Sequence, residues 1–250
     1  MTTSDRRTNG EILLVDAVCW GDAYPVDHPL RSVRGWFEPH LSPLPGARPI
    51  RTVSAESDLS SEPGPDVAGV VISGSPRDAW NDDPVNSALC RLIERCAARA
   101  IPFLGVCYGH QILGRALGAK VARHPLGWEL GNVDIRLTES GTASSLFQGF
   151  PQNFTALQSH ADAVLELPRG CQLLATGVHT EIQSFSDGGS LFGVQFHPET
   201  RAEILRFLWT PRLERWRGQI GFDIDQRLTT FEDAPIAAQV LDRFVHCIAL

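Results

Sequence analysis

The segment around Cys107 constrains this chain more than any other. Pro102 to Val106 is a short apolar run and reads as a buried strand. It leads directly into Cys107-Tyr108-Gly109-His110-Gln111 and then a helical pattern through Leu117, closed by Gly118. A strand that passes straight into a helix must turn sharply. Gly105 and Gly109, two residues either side of Cys107, let the backbone pass close to itself there. This is nucleophile-elbow geometry with sulfur in place of oxygen. The helix points its N-terminus at the sulfur, which lowers the thiol pKa and offers an N–H to an oxyanion. The Tyr108 amide is the natural donor. A buried structural cysteine is the commoner use of this residue, but the flanking glycines argue against it.

The neighbouring segments suggest what the elbow is built on. Glu11 to Asp16 and Val67 to Ser73 read as buried strands, and Asn86 to Ala100 has helical apolar spacing. Strand, helix, strand, helix predicts a parallel sheet with helices on both faces. The second half changes character. Gly131–Leu137, Phe154–Leu157, Ala163–Leu165, Leu173–Gly177, Ile182–Ser186 and Leu191–Phe196 read as short strands separated by turns. Helical stretches follow at Ala202–Arg217 and Pro235–Ile248. Residues 21–66 are rich in Pro, Ser, Gly and Asp, with a helix expected near Val33–His40 and a strand near Pro49–Val53. The rest of 21–66 reads as loop. With no separating linker and no repeat, one domain over 1–250 is expected, with a motif core at 67–200 and a helical extension at 201–250.

A thiolate needs a base, and Gly193-Val194-Gln195-Phe196-His197-Pro198-Glu199 supplies one. The apolar run ends at His197, and Pro198 terminates the strand. That places the imidazole near the crevice where open α/β sheets bind ligands. Glu199, two residues on, can orient the ring as the third member of a triad. A His-Pro-Glu alone would more often be a capping or surface feature; its weight comes from Cys107.

These motifs together resemble the class I (triad) glutamine amidotransferase family, in its GMP synthase-like single-domain branch. Val71-Ile72-Ser73-Gly74-Ser75-Pro76 resembles the family's glycine-rich oxyanion loop, and Glu129-Leu130-Gly131 its E-x-G element. Gln158-Ser159-His160-Ala161-Asp162 resembles a segment of the GMP synthase-like branch. The resemblance implies a flavodoxin-like α/β fold: a mainly parallel open sheet flanked by helices, with additional short antiparallel strands and a C-terminal helical extension. It also implies a γ-glutamyl thioester on Cys107, with His197 as proton carrier and Glu199 holding it. The amides of Gly74 and Tyr108 would form the oxyanion hole. Ser75, Gln111, Glu129, Gly131, Ser159 and His160 map to the substrate pocket. The family loop is usually Gly-Gly-Pro, whereas this chain reads Ser73-Gly74-Ser75; Gly74 is kept, so the hole is expected to survive.

Composition narrows the partners. With 22 basic and 29 acidic residues the net charge is −7, which argues against nucleic acid or an anionic membrane. The six cysteines form no CxxC pair and no zinc-spaced cluster, so no metal and no disulfide framework is expected, and a cytoplasmic setting follows. No cofactor is expected, and the sequence has no Walker-type phosphate loop. A complete amidotransferase would therefore need a separate synthetase or acceptor enzyme. Three functions stay open: a glutaminase, a stand-alone γ-glutamyl hydrolase or peptidase, and a non-catalytic γ-glutamyl-binding or regulatory module. Asp162 reads equally well as an orienter of His160, a partner contact or a turn residue. Trp80 and Trp128 are candidates for the pocket mouth. His110 is expected to pack beneath the site, and the remaining cysteines read as small hydrophobes.

Overall fold

The computed structural model describes residues 10–42 and 48–249. Residues 43–47, in the loop expected between the helix near Val33–His40 and the strand near Pro49–Val53, lie outside the described residues. The first half alternates as expected. Strand β1 (Glu11–Asp16) is followed by helix α1 (Val33–Leu41), β2 (Ile50–Ser54), β3 (Val67–Ile72), α2 (Pro84–Ala98), β4 (Phe103–Val106) and α3 (Tyr108–Ala116). β5 (Val121–Arg123), β6 (Glu129–Leu137) and helix α4 (Glu139–Ala143) come next. The chain then runs through β7 (Asn153–His160), β8 (Asp162–Val164), β9 (Gln172–Thr176), β10 (Ser184–Ser186) and β11 (Leu191–Val194). Four helices close it: α5 (Ala202–Trp209), α6 (Leu213–Trp216), α7 (Ile224–Thr229) and α8 (Pro235–Ala249).

Local chemistry explains several boundaries. Ser32 caps α1 by accepting the Gly35 N–H at 3.0 Å. Asp83 caps α2 through the Asn86 N–H at 2.9 Å, with Pro84 in the first turn where its missing N–H costs nothing. The helix expected over Ala202–Arg217 is interrupted. It stops at Trp209, makes one tighter turn over Thr210–Arg212, and resumes at Leu213. Pro211 accounts for the break, since it has no N–H to give to the helix.

Nine strands form one sheet in the order β2-β1-β3-β4-β11-β10-β9-β6-β7. The run from β2 to β11 is parallel, and the remaining pairings are antiparallel. The two strands expected at Gly131–Leu137 and Phe154–Leu157 are the long β6 and β7, paired from Glu129 opposite His160 to Arg136 opposite Asn153. β8 leaves this sheet and pairs with β5 instead.

Every residue of β3, β4 and β11 is buried, as expected where helices cover both faces. One face packs α1 and α8 through Trp36, Phe37, Val240, Leu241 and Phe244. The other packs α2 and α3 through Leu89, Leu92, Ile93, Ile112 and Leu113. A third cluster joins Leu130 and Leu157 of the β6–β7 ribbon to Leu205, Trp209, Ile224 and Phe231 of the C-terminal segment. That segment is stitched together by Arg206, which donates to the carbonyls of Leu228 at 3.0 Å and Phe231 at 2.6 Å.

The C-terminal helix α8 is thus part of the main core. Phe244 is fully buried there, so Phe244→Ala should cost about 3–5 kcal/mol in urea unfolding. A loss below about 1 kcal/mol would mean that α8 packs loosely.

Candidate active site

The sheet order brings the site together. Strands β3, β4 and β11 are adjacent and parallel, so their carboxyl ends share one edge. Ile72 lies opposite Gly105, and Val106 opposite Val194. The residues that follow are Gly74, Cys107 and His197. Three segments distant in sequence therefore converge at the crevice where open α/β sheets bind ligands.

Cys107 has φ 50° and ψ −100°, a left-handed backbone on a residue with a Cβ. Its N–H donates to the Val194 carbonyl at 2.8 Å, which ties the elbow to β11. The glycines are sterically required. A Cβ on Gly105 would sit 2.3 Å from the Gly109 carbonyl oxygen, and one on Gly109 would sit 2.4 Å from the Ile72 oxygen. Tyr108 opens α3, so its N–H has no acceptor within the helix. Its ring is buried and its hydroxyl donates to Asn86 Oδ1.

His197 is held from two sides. Its N–H donates to the Leu157 carbonyl at 2.9 Å, and its Nδ1 meets Glu199 Oε1 at 2.8 Å. Its Nε2 is buried without a hydrogen-bond partner among the described residues. Burial pulls the imidazole down, but the charges of Glu199 and Cys107 outweigh it and hold His197 well above its ordinary value. Gly74 fits between the Cys107 and His197 side chains: a Cβ there would lie 2.9 Å from His197 Cε1 and 3.7 Å from Cys107 Cβ. The serine that departs from the family loop also has a definite place. Ser73 Oγ accepts the Ala17 N–H and donates to the Gly74 carbonyl, each at 3.0 Å, tying the loop to the end of β1.

A cavity of about 430 Å³ opens over these residues. Of the residues anticipated from sequence, Gly74, Ser75, Cys107, Gln111, Ser159, His160, His197 and Glu199 line it. Gln111 donates to the Asp162 carbonyl at 2.7 Å and to Gln195 Oε1 at 3.2 Å. Ser159 Oγ accepts from Trp209 Nε1 at 2.9 Å. Glu129 lies behind the lining. Its Oε2 meets His160 Nε2 at 2.9 Å and accepts from Gln183 at 3.1 Å. Burial alone would raise Glu129, and the hydrogen bond and charge of His160 more than reverse it. Gly131 lies away from the lining. It has φ 97°, and a Cβ there would meet Phe231 and Arg227 of the C-terminal segment. His110 is fully buried against Phe185, and burial pushes it down to about 3.

Further residues surround the cavity, some of them, like Asp162 and Trp128, already considered from sequence. Gln195 Nε2 donates to Cys107 Sγ at 3.6 Å. Its position inside the His197 motif was the available signal. Asp162 contributes its backbone carbonyl to both Gln111 and His160, and its carboxylate accepts from Trp80 at 3.0 Å. Burial, with Asp78 nearby, raises that carboxyl to about 6. Trp128 reaches the lining, as does Trp36. The C-terminal segment adds Leu205, Leu208, Arg212, Arg215 and Trp216; no local motif marks them. Cys19, read as a small hydrophobe, is exposed.

A positive-φ cysteine at a strand–helix elbow and a buried His–Glu pair at the same sheet edge lie on an open, mainly parallel α/β sheet. Residues 48–205 match the family model of glutamine amidotransferase class-I, and the chain belongs to that family. It is 37% identical to gamma-glutamyl peptidase 5 of Arabidopsis thaliana over 139 residues, 55% of each protein. It is 37% identical to the glutamine-hydrolyzing GMP synthase of Aeropyrum pernix over 144 residues, 58% of this chain and 26% of that one. The chain thus spans about half or less of the curated relatives it matches. The fold agrees with the crystal structure of a glutamine amidotransferase from Thermotoga maritima, with TM-score 0.74 and 22% identity over 96% of this chain and 99% of that one. The flavodoxin-like sheet expected from the motifs is therefore the observed one.

The His197–Glu199 contact has a measurable consequence. In Glu199→Gln the larger of the two charges that hold His197 above its ordinary value is removed, so the imidazolium should lose its proton at lower pH. NMR titration of the His197 ring should show the midpoint moving down. An unmoved midpoint would mean that Glu199 does not govern the ring.

Proposed function

We propose that this protein is an enzyme that hydrolyses a γ-glutamyl amide through a covalent thioester on Cys107. The observation that carries this reading is the strained Cys107 backbone beside the 2.8 Å His197–Glu199 pair. Strain of this kind costs about 1–3 kcal/mol and persists where the surrounding structure enforces it. The family and the glutamine-cleaving and γ-glutamyl-cleaving names of its relatives support the same chemistry.

In this reading the Cys107 thiolate attacks the side-chain carbonyl carbon of the γ-glutamyl group, with His197 as imidazolium beside it. A C–S bond forms while the carbonyl π electrons move to oxygen, toward the amides of Gly74 and Tyr108. His197 then delivers its proton to the leaving nitrogen, the C–N bond breaks, and ammonia or an amine departs. Water, deprotonated by His197, cleaves the thioester to glutamate and regenerates the thiol. Glu199 stabilises the imidazolium at each stage. Each oxyanion donor is worth about 10²–10³ in rate.

Ser75, Gln111, Ser159 and His160 would shape the glutamyl site from the cavity lining. Glu129 would act through His160 as a positioning residue, and Gly131 would act by letting the C-terminal segment pack closely. The amine product has two fates. A glutaminase would pass ammonia to a separate synthetase, in line with the GMP synthase relatives. A γ-glutamyl peptidase would release a larger amine, and a cavity of about 430 Å³ favours this second reading. Pockets of roughly 300–1,000 Å³ suit ligands well above the size of glutamine. Residue types and net charge fit a reducing, cytoplasmic setting, and no described helix is long and apolar enough to cross a membrane.

The test is glutamate release from glutamine and a panel of γ-glutamyl amides. Wild type should release it, and Cys107→Ala should lose at least about 10³-fold in kcat/KM. Retained activity in Cys107→Ala, or no release from any substrate by wild type, would overturn the reading.

A further inference from the structure

The wall contributed by the C-terminal segment differs in chemistry from the floor around Cys107. It carries Arg212 and Arg215, three residues apart, with Trp216 beside them. The Arg212 guanidinium lies 5.9 Å from the ring centres of both Tyr24 and Trp209, and Arg215 lies 5.0 Å from that of Trp216. Rings of this kind hold a guanidinium by its face and leave its N–H edge free to donate. The other two cavity arginines are already committed. Arg77 pairs with Glu56, and Arg123 lies 3.7 Å from Asp162. Among the described residues, Arg212 and Arg215 pair with no carboxylate. Two unneutralised cations thus face a site in a chain of net charge −7.

Position says which part of a substrate they would meet. The reacting carbonyl must sit at Cys107, at the strand ends. Arg215 is exposed and belongs to α6, outside the sheet. The tight turn at Thr210–Arg212 is what turns the chain so that Arg212, Arg215 and Trp216 all reach the cavity. An acceptor-free glutaminase has no use for a cationic, aromatic rim beyond the glutamyl group.

We propose that Arg212 and Arg215, flanked by Trp216 and Trp128, form a leaving-group site for amines that carry a carboxylate, so that γ-glutamyl amino acids or peptides are preferred over neutral γ-glutamyl amides. The proposal rests on the γ-glutamyl amide reading above. Guanidinium–carboxylate hydrogen bonds give the attraction and the aromatic faces give the amine's side chain a surface.

The experiment compares γ-glutamyl-alanine, its C-terminal carboxamide and glutamine on the full chain. The carboxylate form should exceed the carboxamide by about tenfold in kcat/KM, mainly through KM, a size suited to charge-assisted hydrogen bonds at a half-exposed site. That ratio should fall toward one in Arg212→Gln/Arg215→Gln and also with rising salt, because exposed charges are screened. It is a ratio within one preparation, so partial loss of active protein does not alter it. If the double variant does not fold, Arg215→Gln alone, at an exposed position, carries the test. In Cys107→Ala, calorimetry should show the carboxylate form binding more tightly by a similar factor. A wild-type ratio near one, or a ratio unchanged by the arginine variants, overturns the site. Turnover without preference would leave the hydrolytic reading standing and remove this site. Preference in binding without turnover would keep the site and remove the hydrolytic reading. Neither binding nor turnover would remove both.

Discussion

The backbone at Cys107 is the constraint around which the rest of the structure is arranged. A left-handed φ on a side-chain-bearing residue is unfavourable, and nothing local would keep it there. Three neighbours enforce it. β4 delivers the chain from a fully buried position, α3 begins at the next residue, and the Cys107 N–H is fixed to Val194 of β11. Gly105 and Gly109 remove the Cβ atoms that would collide with backbone. The same parallel pairing that fixes the elbow also delivers Gly74 from β3 and His197 from β11. The sheet thus strains the cysteine and assembles its partners in a single act of pairing.

Behind the reactive groups lies a buried polar network that the sheet alone does not explain. Gln111 and Gln195 link α3 to the chain after β11, and Glu129, His160 and Gln183 link β6, β7 and the approach to β10. Gln158 extends the chain by donating to Gln183 Oε1 at 2.6 Å. Buried polar groups are tolerated only when paired, at about 1–3 kcal/mol for each one left alone. The atoms without a partner among the described residues include His197 Nε2, Glu199 Oε2 and Trp128 Nε1, all on residues that line the cavity. The network fixes the floor, although some buried polar atoms stay without a partner among the described residues, both on the cavity lining and, as with Glu129 Oε1 and Gln158 Oε1, within the network itself.

How much was legible in the sequence follows from how local each feature is. The elbow was readable because strand, glycines and helix are contiguous, and the His197 motif because Pro198 stops its strand. Glu129 and His160 were readable only through family likeness, and their contact follows from the register of two strands far apart in sequence. Gly131 shows the limit of that likeness. Its motif suggests the pocket, whereas its positive φ and close contact with Phe231 suit it to carrying the C-terminal segment. That segment was readable as helices but not as a cavity wall. α7 is six residues long and carries too little periodicity to register, and outside α1 and β2 residues 21–66 gave only loop signals. Where Tyr24 donates to the Leu208 carbonyl at 2.6 Å, these two unmarked regions meet, a contact spanning 184 positions that no local pattern encodes.

This division between a hydrogen-bonded floor and an aromatic wall has a chemical consequence. In the proposed reaction the floor must hold its atoms to fractions of an ångström, because Cys107, His197 and the oxyanion donors would act only in register. It is accordingly built on strands, glycines and buried hydrogen bonds. The wall is built from aromatic packing, with Trp128 against Trp209 at 4.9 Å and Trp216 at 5.2 Å, and Trp20 against Tyr24 at 5.5 Å and Trp36 at 5.7 Å. These ring pairs meet edge to face. Arg212 and Arg215 lie over ring faces and pair with no carboxylate among the described residues, so they are held apart from the hydrogen bonds of the floor. A scaffold that keeps one reaction while changing the molecule it acts on needs this separation, and here it falls between the sheet edge and the helices after Thr200.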